Sequence, residues 1–199
     1  MKKFSFLLIM ALTAVLLLCA CGAKEAPQAP AATAEPTPTP APPMTDPEKY
    51  AEVFAEYPGL GYCFRDIDGD GNNELLIGPL EGDSYEKQVI SAMYTIQGYE
   101  IKEVFESSED DLYYLCENGS IDERQSGGTT NIVHSYYYFA GGELKLMSKL
   151  AYGPGEDRVC RWTLTEAGIP SPMEENAAMN YITTYESTYV TPNYLPING

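Results

Sequence analysis

Tyr62-Cys63-Phe64-Arg65-Asp66-Ile67-Asp68-Gly69-Asp70-Gly71-Asn72-Asn73-Glu74-Leu75-Leu76-Ile77-Gly78 reads as two strands joined by a loop of oxygen-bearing side chains. Tyr62, Phe64, Leu75 and Ile77 stand at strand spacing among aromatic and branched neighbours. Between them Asp66, Asp68, Asp70, Asn72 and Glu74 occupy every second position. Counting Asp66 as position 1, they are 1, 3, 5, 7 and 9, and Gly71 takes position 6, where a cation-binding loop turns sharply.

Oxygens in this pattern converge on one hard cation when the loop wraps around it. Calcium takes about six to eight oxygens at roughly 2.3–2.6 Å and tolerates uneven geometry, whereas magnesium demands a tight octahedron and keeps its own waters. A helix-flanked calcium loop has a bidentate Glu at position 12; here that position is Ile77 and the flanks are strands. The pattern predicts Ca2+ held by the carboxylates of Asp66, Asp68, Asp70 and Glu74 and by the backbone carbonyl of Asn72, with water completing the shell. The alternative is a solvated Asp-Gly turn without metal. Against it, four carboxylates in nine residues repel one another, and a plain turn does not need them.

Outward from the loop, the N-terminal side is simple. Lys2 and Lys3 precede an apolar run, Phe4 to Leu18, that is short for a membrane span and reads as an export signal. It ends in Leu18-Cys19-Ala20-Cys21-Gly22, the pattern of a bacterial lipoprotein signal. Residues 1–20 are then the signal peptide and Cys21 the lipidated residue. Several acyl chains hold a protein on a bilayer at about 0.8 kcal/mol per buried methylene. The expected location is extracytoplasmic, lipid-anchored to the cell membrane. Residues 21–45, rich in Pro, Ala and Thr, cannot bury a core and read as a disordered tether.

Residues 46–199 read as one calcium-loop-containing globular domain. Asp46 to Tyr57 predicts a helix with Tyr50, Val53, Phe54 and Tyr57 on one side, stopped by Pro58-Gly59. Strand-like runs follow at Val89–Ile96, Tyr99–Phe105, Asp111–Glu117, Ile132–Phe139, Glu143–Leu150 and Val159–Leu164, separated by glycine turns. Residues 174–189 predict a second helix with Met173, Ala177, Tyr181 and Tyr185 on one face. The expected fold is mainly β (α+β): a twisted antiparallel sheet built of hairpins, with an N-terminal and a C-terminal helix. The segment from Tyr94 to Val104 echoes that from Tyr137 to Met147, each a strand, a glycine turn and a returning strand. Such spacing suits propeller blades, but the region has room for fewer blades than a closed propeller needs.

Cys63, Cys116 and Cys160 remain once Cys19 and Cys21 are assigned to the signal and the anchor. Two readings stand. The hairpin echo suggests a Cys116–Cys160 disulfide, worth about 2–4 kcal/mol; otherwise all three are buried thiols acting as small apolar residues.

Losing Lys2 and Lys3 with the signal takes the formal charge from −17 to −19. That excludes a nucleic-acid partner, which needs a basic footprint. Tyr113-Tyr114 and Tyr136-Tyr137-Tyr138 lie in strands, so neighbours point to opposite faces; the outward rings suit a glycan or protein ligand. His134, the single histidine, sits in a strand-like run near Asp122, Ser126 and Ser135 without a nucleophile turn, and no catalytic residue is assigned.

The run Asp66-Ile67-Asp68-Gly69-Asp70-Gly71-Asn72-Asn73-Glu74-Leu75-Leu76-Ile77, behind a short helix and ahead of tyrosine-rich hairpins, resembles a segment shared by a widespread group of Firmicutes lipoproteins with no established activity. The likeness covers most of residues 46–152. The loop alone is similar to the calcium loops of FG-GAP/VCBS and integrin-type repeats, which implies Asp66, Asp68, Asp70 and Glu74 as ligands and Asn72 through its carbonyl. The functional expectation is a lipid-anchored calcium-binding domain acting as a surface binding or interaction module. The alternative is a surface hydrolase acting on cell-wall or dietary glycans through paired carboxylates.

Overall fold

The computed structural model describes residues 46–197. The expected signal peptide, Cys21, the tether and the last two residues of the expected domain lie outside the described residues. The chain is mainly β, with antiparallel sheets and helical segments at both ends.

Asp46–Lys49 (α1) and Ala51–Phe54 (α2) make one helical turn each where the sequence predicts a single helix. The break is at Tyr50, whose backbone leaves the helical region at φ −104° and ψ 16°. The apolar stripe survives it: Tyr50 and Val53 are buried, and Phe54 and Tyr57 pack beside them. Gly61–Arg65 (β1) and Glu74–Gly78 (β2) pair antiparallel, from Gly61 opposite Gly78 to Arg65 opposite Glu74. The acidic loop is therefore the connection of a hairpin, as its flanks predict.

Val89–Ile90 (β3) and Ala92–Gln97 (β4) divide what reads as one strand. Ser91 is the divide. Its N–H bonds to the Ile77 carbonyl at 2.8 Å and its own carbonyl accepts from Ser107 N–H at 2.8 Å, and there the chain passes from one sheet to the other. Glu100–Glu106 (β5), Asp111–Leu115 (β6), Ile121–Ser126 (β7), Ile132–Ala140 (β8), Glu143–Pro154 (β9), Cys160–Glu166 (β10) and Ile169–Met173 (β11) follow. The helix Glu175–Glu186 (α3) and the short strand Leu195–Pro196 (β12) complete the elements.

One sheet has five strands in the order β12-β1-β2-β4-β5 and the other seven, β11-β10-β9-β8-β7-β6-β3. Every pairing is antiparallel. The expectation of one sheet thus resolves into two. Between them lie Leu76, Met93 and Phe105 from the first and Leu115, Ile121 and Phe139 from the second. The alternation of a strand explains the layering: Leu76 faces the partner sheet, while Leu75 and Ile77 turn to the opposite side and meet Tyr50 and Val53. On the far side of the seven-stranded sheet, Tyr136, Leu150, Trp162 and Leu164 are covered by Ala178 and Ile182 of α3. Of the expected stripe, Met173, Tyr181 and Tyr185 pack against this cluster, while Ala177 is exposed and Ala178 and Ile182 take the fully packed positions.

The two echoing segments are hairpins in different sheets, β4–β5 and β8–β9, so the repeat makes no propeller. Their likeness extends to irregularity: the register shifts between Met93 and Tyr94 in one and between Tyr136 and Tyr137 in the other. Their ends touch, with Gln97 Nε2 donating to the Gly141 carbonyl at 2.6 Å and Lys102 lying 3.7 Å from Glu143. β7, β11 and β12 are strands the sequence pattern does not announce. β11 is an edge strand carrying Pro170 and Pro172, residues that have no ladder donor to offer. Near the C-terminus Tyr194 crosses β1 and β2 over Gly61 and Gly78; a Cβ on Gly78 would lie 2.2 Å from its ring.

Cys63, Cys116 and Cys160 are free thiols, so the Cys116–Cys160 bond of the first reading is not formed; of the three, Cys116 is buried and the other two are partly so. Cys116 follows β6 and Cys160 opens β10, and β7, β8 and β9 lie between those strands. Four strand spacings come to roughly 19 Å, against a Cα separation of about 7 Å at most for a disulfide. Of the tyrosine runs, Tyr114 and Tyr136 are fully buried, Tyr113 and Tyr137 donate to Glu123, and only Tyr138 is exposed. Among the described residues no helix is long and apolar enough to cross a membrane.

Candidate metal centre

The loop between β1 and β2 is shaped by its own carboxylates. Asp66 Oδ1 accepts from Gly69 N–H at 2.8 Å and Oδ2 from Gly71 N–H at 3.1 Å. Asp68 Oδ1 accepts from Asp70 N–H at 3.2 Å, and Asp70 Oδ1 from Asn72 N–H at 2.7 Å. Short side chains bonding to the backbone two or three residues on are turn formers. Gly69 and Gly71, at φ +76° and +89°, supply the left-handed positions this winding requires.

Asp66, Asp68 and Glu74 each present a carboxylate oxygen within 4.8 Å of the others, and this group could hold a metal ion. Their exposures differ. Asp66 is exposed and Asp68 partly buried, but Glu74 is only 1% exposed. Glu74 opens β2, so the sheet fixes its backbone. Its Oε2 accepts from Ile67 N–H at 3.0 Å and its Oε1 from Thr95 Oγ1 at 3.0 Å. Thr95 belongs to β4, next to β2, and its partnership with Glu74 has no signal in the loop motif. Burial pushes the Glu74 carboxyl above its ordinary value. The Ile67 and Thr95 donors offset this in part, and the charges of Asp68 and Asp70 push it further up.

Asp70 and Asn72 stand apart from that group and are bonded to each other. The Asn72 side-chain amide donates to both Asp70 oxygens at 3.2 Å. Of the five expected ligand residues, the structure brings three carboxylates together and leaves Asp70 facing Asn72. The hydrogen bonds these carboxylates accept leave lone pairs free to face a cation, since an ionised carboxylate has about four lone-pair sites.

A second buried acid lies in the other sheet. Asp122, fully buried in β7, has Oδ2 3.2 Å from His134 Nδ1 and accepts a short hydrogen bond from the Tyr189 hydroxyl. Tyr189 arrives from the segment after α3, which pairs with the end of β6: Glu117 N–H bonds to Thr188 O at 2.9 Å and Val190 N–H to Leu115 O at 2.8 Å. His134 is 2% exposed, so this pair holds the C-terminal segment to the sheet and does not face solvent. The only sequence signal for it was a lone histidine near an aspartate. Comparison with protein-family models, with curated proteins and with solved structures gave no match.

Proposed function

We propose that this chain is a lipid-anchored, extracytoplasmic domain whose β1–β2 loop binds one calcium ion, and that it serves as a surface binding module. One observation carries the metal reading: a buried carboxylate, Glu74, converges with Asp66 and Asp68 while both its oxygens receive only neutral donors. A buried charge needs a partner, and a divalent cation supplies it. An all-oxygen donor set with no imidazole or thiolate selects a hard ion, and the open, uneven loop suits calcium better than magnesium. Asp70 joins the shell by rotating away from Asn72, the Asn72 carbonyl supplies a backbone ligand, and water completes it. Such an ion acts by structure: it ties Asp66 and Asp68, at the end of β1, to the first residue of β2.

The anchor reading rests on the Leu18-Cys19-Ala20-Cys21 pattern and on the resemblance to Firmicutes lipoproteins. Outside the cell a weak site, of order 10⁻⁴–10⁻³ M, is filled. The hydrolase alternative finds less to stand on. A hollow of about 340 Å³ is lined by Tyr152, Trp162, Glu174 and Glu175. Those acids are exposed, consecutive and at the start of α3, where negative side chains offset the helix dipole.

Calcium titration of the whole chain by calorimetry, beside Asp68→Ala, tests the metal reading. Saturable binding of one ion that the variant loses supports it, and no binding up to millimolar calcium rejects it. Mass spectrometry of the membrane-extracted chain beside Cys21→Ser tests the anchor: acyl mass on Cys21 is expected, and an unmodified Cys21 rejects it.

A further inference from the structure

A groove of about 330 Å³ opens beside the loop. Its floor is Ile96 of β4 and Ile101 of β5, which face each other across the hairpin. Asn72 and Asn73 of the loop form one wall, Lys49 of α1 contributes to the lining, and Tyr99 stands on the rim. Tyr99 occupies the two-residue turn between β4 and β5, after Gly98 at φ +66°, and its ring is fully exposed. This size is at the lower end of small-molecule sites and suits one or two sugar rings.

We propose that this groove binds a neutral saccharide, and that the loop cation tightens the site. The lining is amphipathic: an aromatic face and two isoleucines on one side, carboxamides on the other. A sugar ring has the matching surfaces, a C–H face that packs on an aromatic ring and a rim of hydroxyls that bond to amides. Charge narrows the choice. The neighbouring carboxylates Asp66, Asp68 and Asp70 disfavour an anion, while Lys49 and the isoleucine floor disfavour a cation. A peptide adding to the β5 edge would meet Glu100, Lys102, Glu103 and Glu106 along that strand.

The coupling runs through Asn72. Its amide is held by both oxygens of Asp70, the loop carboxylate outside the three-acid group. When Asp70 turns onto calcium, the Asn72 amide is released on the wall of the groove. This part of the proposal rests on the calcium reading above; the groove and Tyr99 do not.

The test is saturation-transfer NMR on the whole chain in detergent, with maltose, cellobiose, lactose and diacetylchitobiose, in millimolar calcium and in EDTA. Calcium binding is measured separately by calorimetry. Transfer to the ring protons of at least one sugar is expected, weakened in EDTA. Tyr99→Ala should weaken it about tenfold, near the upper end of what aromatic packing contributes, with Tyr99→Phe close to the parent. No transfer from any of these sugars, or transfer indifferent to Tyr99→Ala, overturns the proposal. Tyr99-dependent binding that is equal in calcium and EDTA overturns the coupling. If calorimetry also shows no calcium uptake, the metal reading fails while the saccharide groove stands.

Discussion

Glu74 and Asp122 are both buried carboxylates on strands, one in each sheet, yet they are balanced in opposite ways. Asp122 finds its partners inside the chain: the His134 imidazole and the Tyr189 hydroxyl both meet its Oδ2, while its Oδ1 is buried without a hydrogen-bond partner. Glu74 receives a backbone N–H and a threonine hydroxyl, both neutral, and Asp68 and Asp70, of its own sign, push its carboxyl up. The first arrangement draws its partners from the fold and ties the C-terminal segment to the sheet. The second is complete only when something positive arrives. A buried acid therefore does not by itself mark a binding site; the sign and origin of its partners decide.

The largest effect separating the two regions is alkaline. Around Asp122 the tyrosines are packed: Tyr114 stacks on Tyr189 at 4.4 Å and Tyr136 on Tyr185 at 3.8 Å. Burial, then the charge and hydroxyl of Tyr181, pushes Tyr185 up to about 12. Tyr136 and Tyr189 are pushed higher, first by burial and then by Asp122. The unfolded chain releases phenolic protons near pH 10 while the fold keeps them, so stability falls as pH rises above about 10. Circular dichroism and phenolate absorbance should change together in one step. Phenolate appearing with the β signal intact would mean that these rings are not held as described.

Next in size is Asp122→Ala, which leaves His134 and Tyr189 facing a void. Removing one partner of a buried pair costs about 3–5 kcal/mol. Urea unfolding should show such a loss in calcium and in EDTA alike, because calcium has no part in that cluster. A loss that calcium alters would merge the two regions into one. Calcium itself should stabilise the parent chain by about 2.7 kcal/mol at a free concentration a hundredfold above Kd, read as a raised Tm. Smaller again, Glu74→Gln in EDTA should leave stability unchanged or raise it by about 1 kcal/mol, since the amide keeps an acceptor for Ile67 and drops an unbalanced charge. The matching loss at Asp122 makes the contrast. Tyr99→Ala, at a fully exposed turn position, should move stability by less than about 0.5 kcal/mol.

The sequence carried the hairpins well where local chemistry makes them. Strand alternation and glycine turns mark β1–β2, β4–β5 and β8–β9, and even the echo between the last two persists as a matched bulge. It did not carry β7. Ile121–Ser126 is polar after Ile121, and its polar side chains find distant partners: His134 and Tyr189 for Asp122, Tyr113 and Tyr137 for Glu123, Tyr85 for Arg124. Nor did it carry the change of sheet at Ser91, which depends on bonds to Ile77 and Ser107 rather than on a turn residue. At the site, the spacing of Asp66, Asp68 and Glu74 was legible because the loop winds them together locally. The burial of Glu74 under Thr95 was not, because β4 provides it.

The most direct test of the central claim compares the calcium dependence of Tm in the parent chain, Glu74→Gln and Asp122→Asn. If Glu74 is the buried charge that an external cation completes, calcium raises Tm in the parent and in Asp122→Asn, from its lower starting point, and the rise is lost in Glu74→Gln. A Tm that calcium leaves unchanged in the parent, or raises as much in Glu74→Gln, would contradict the account.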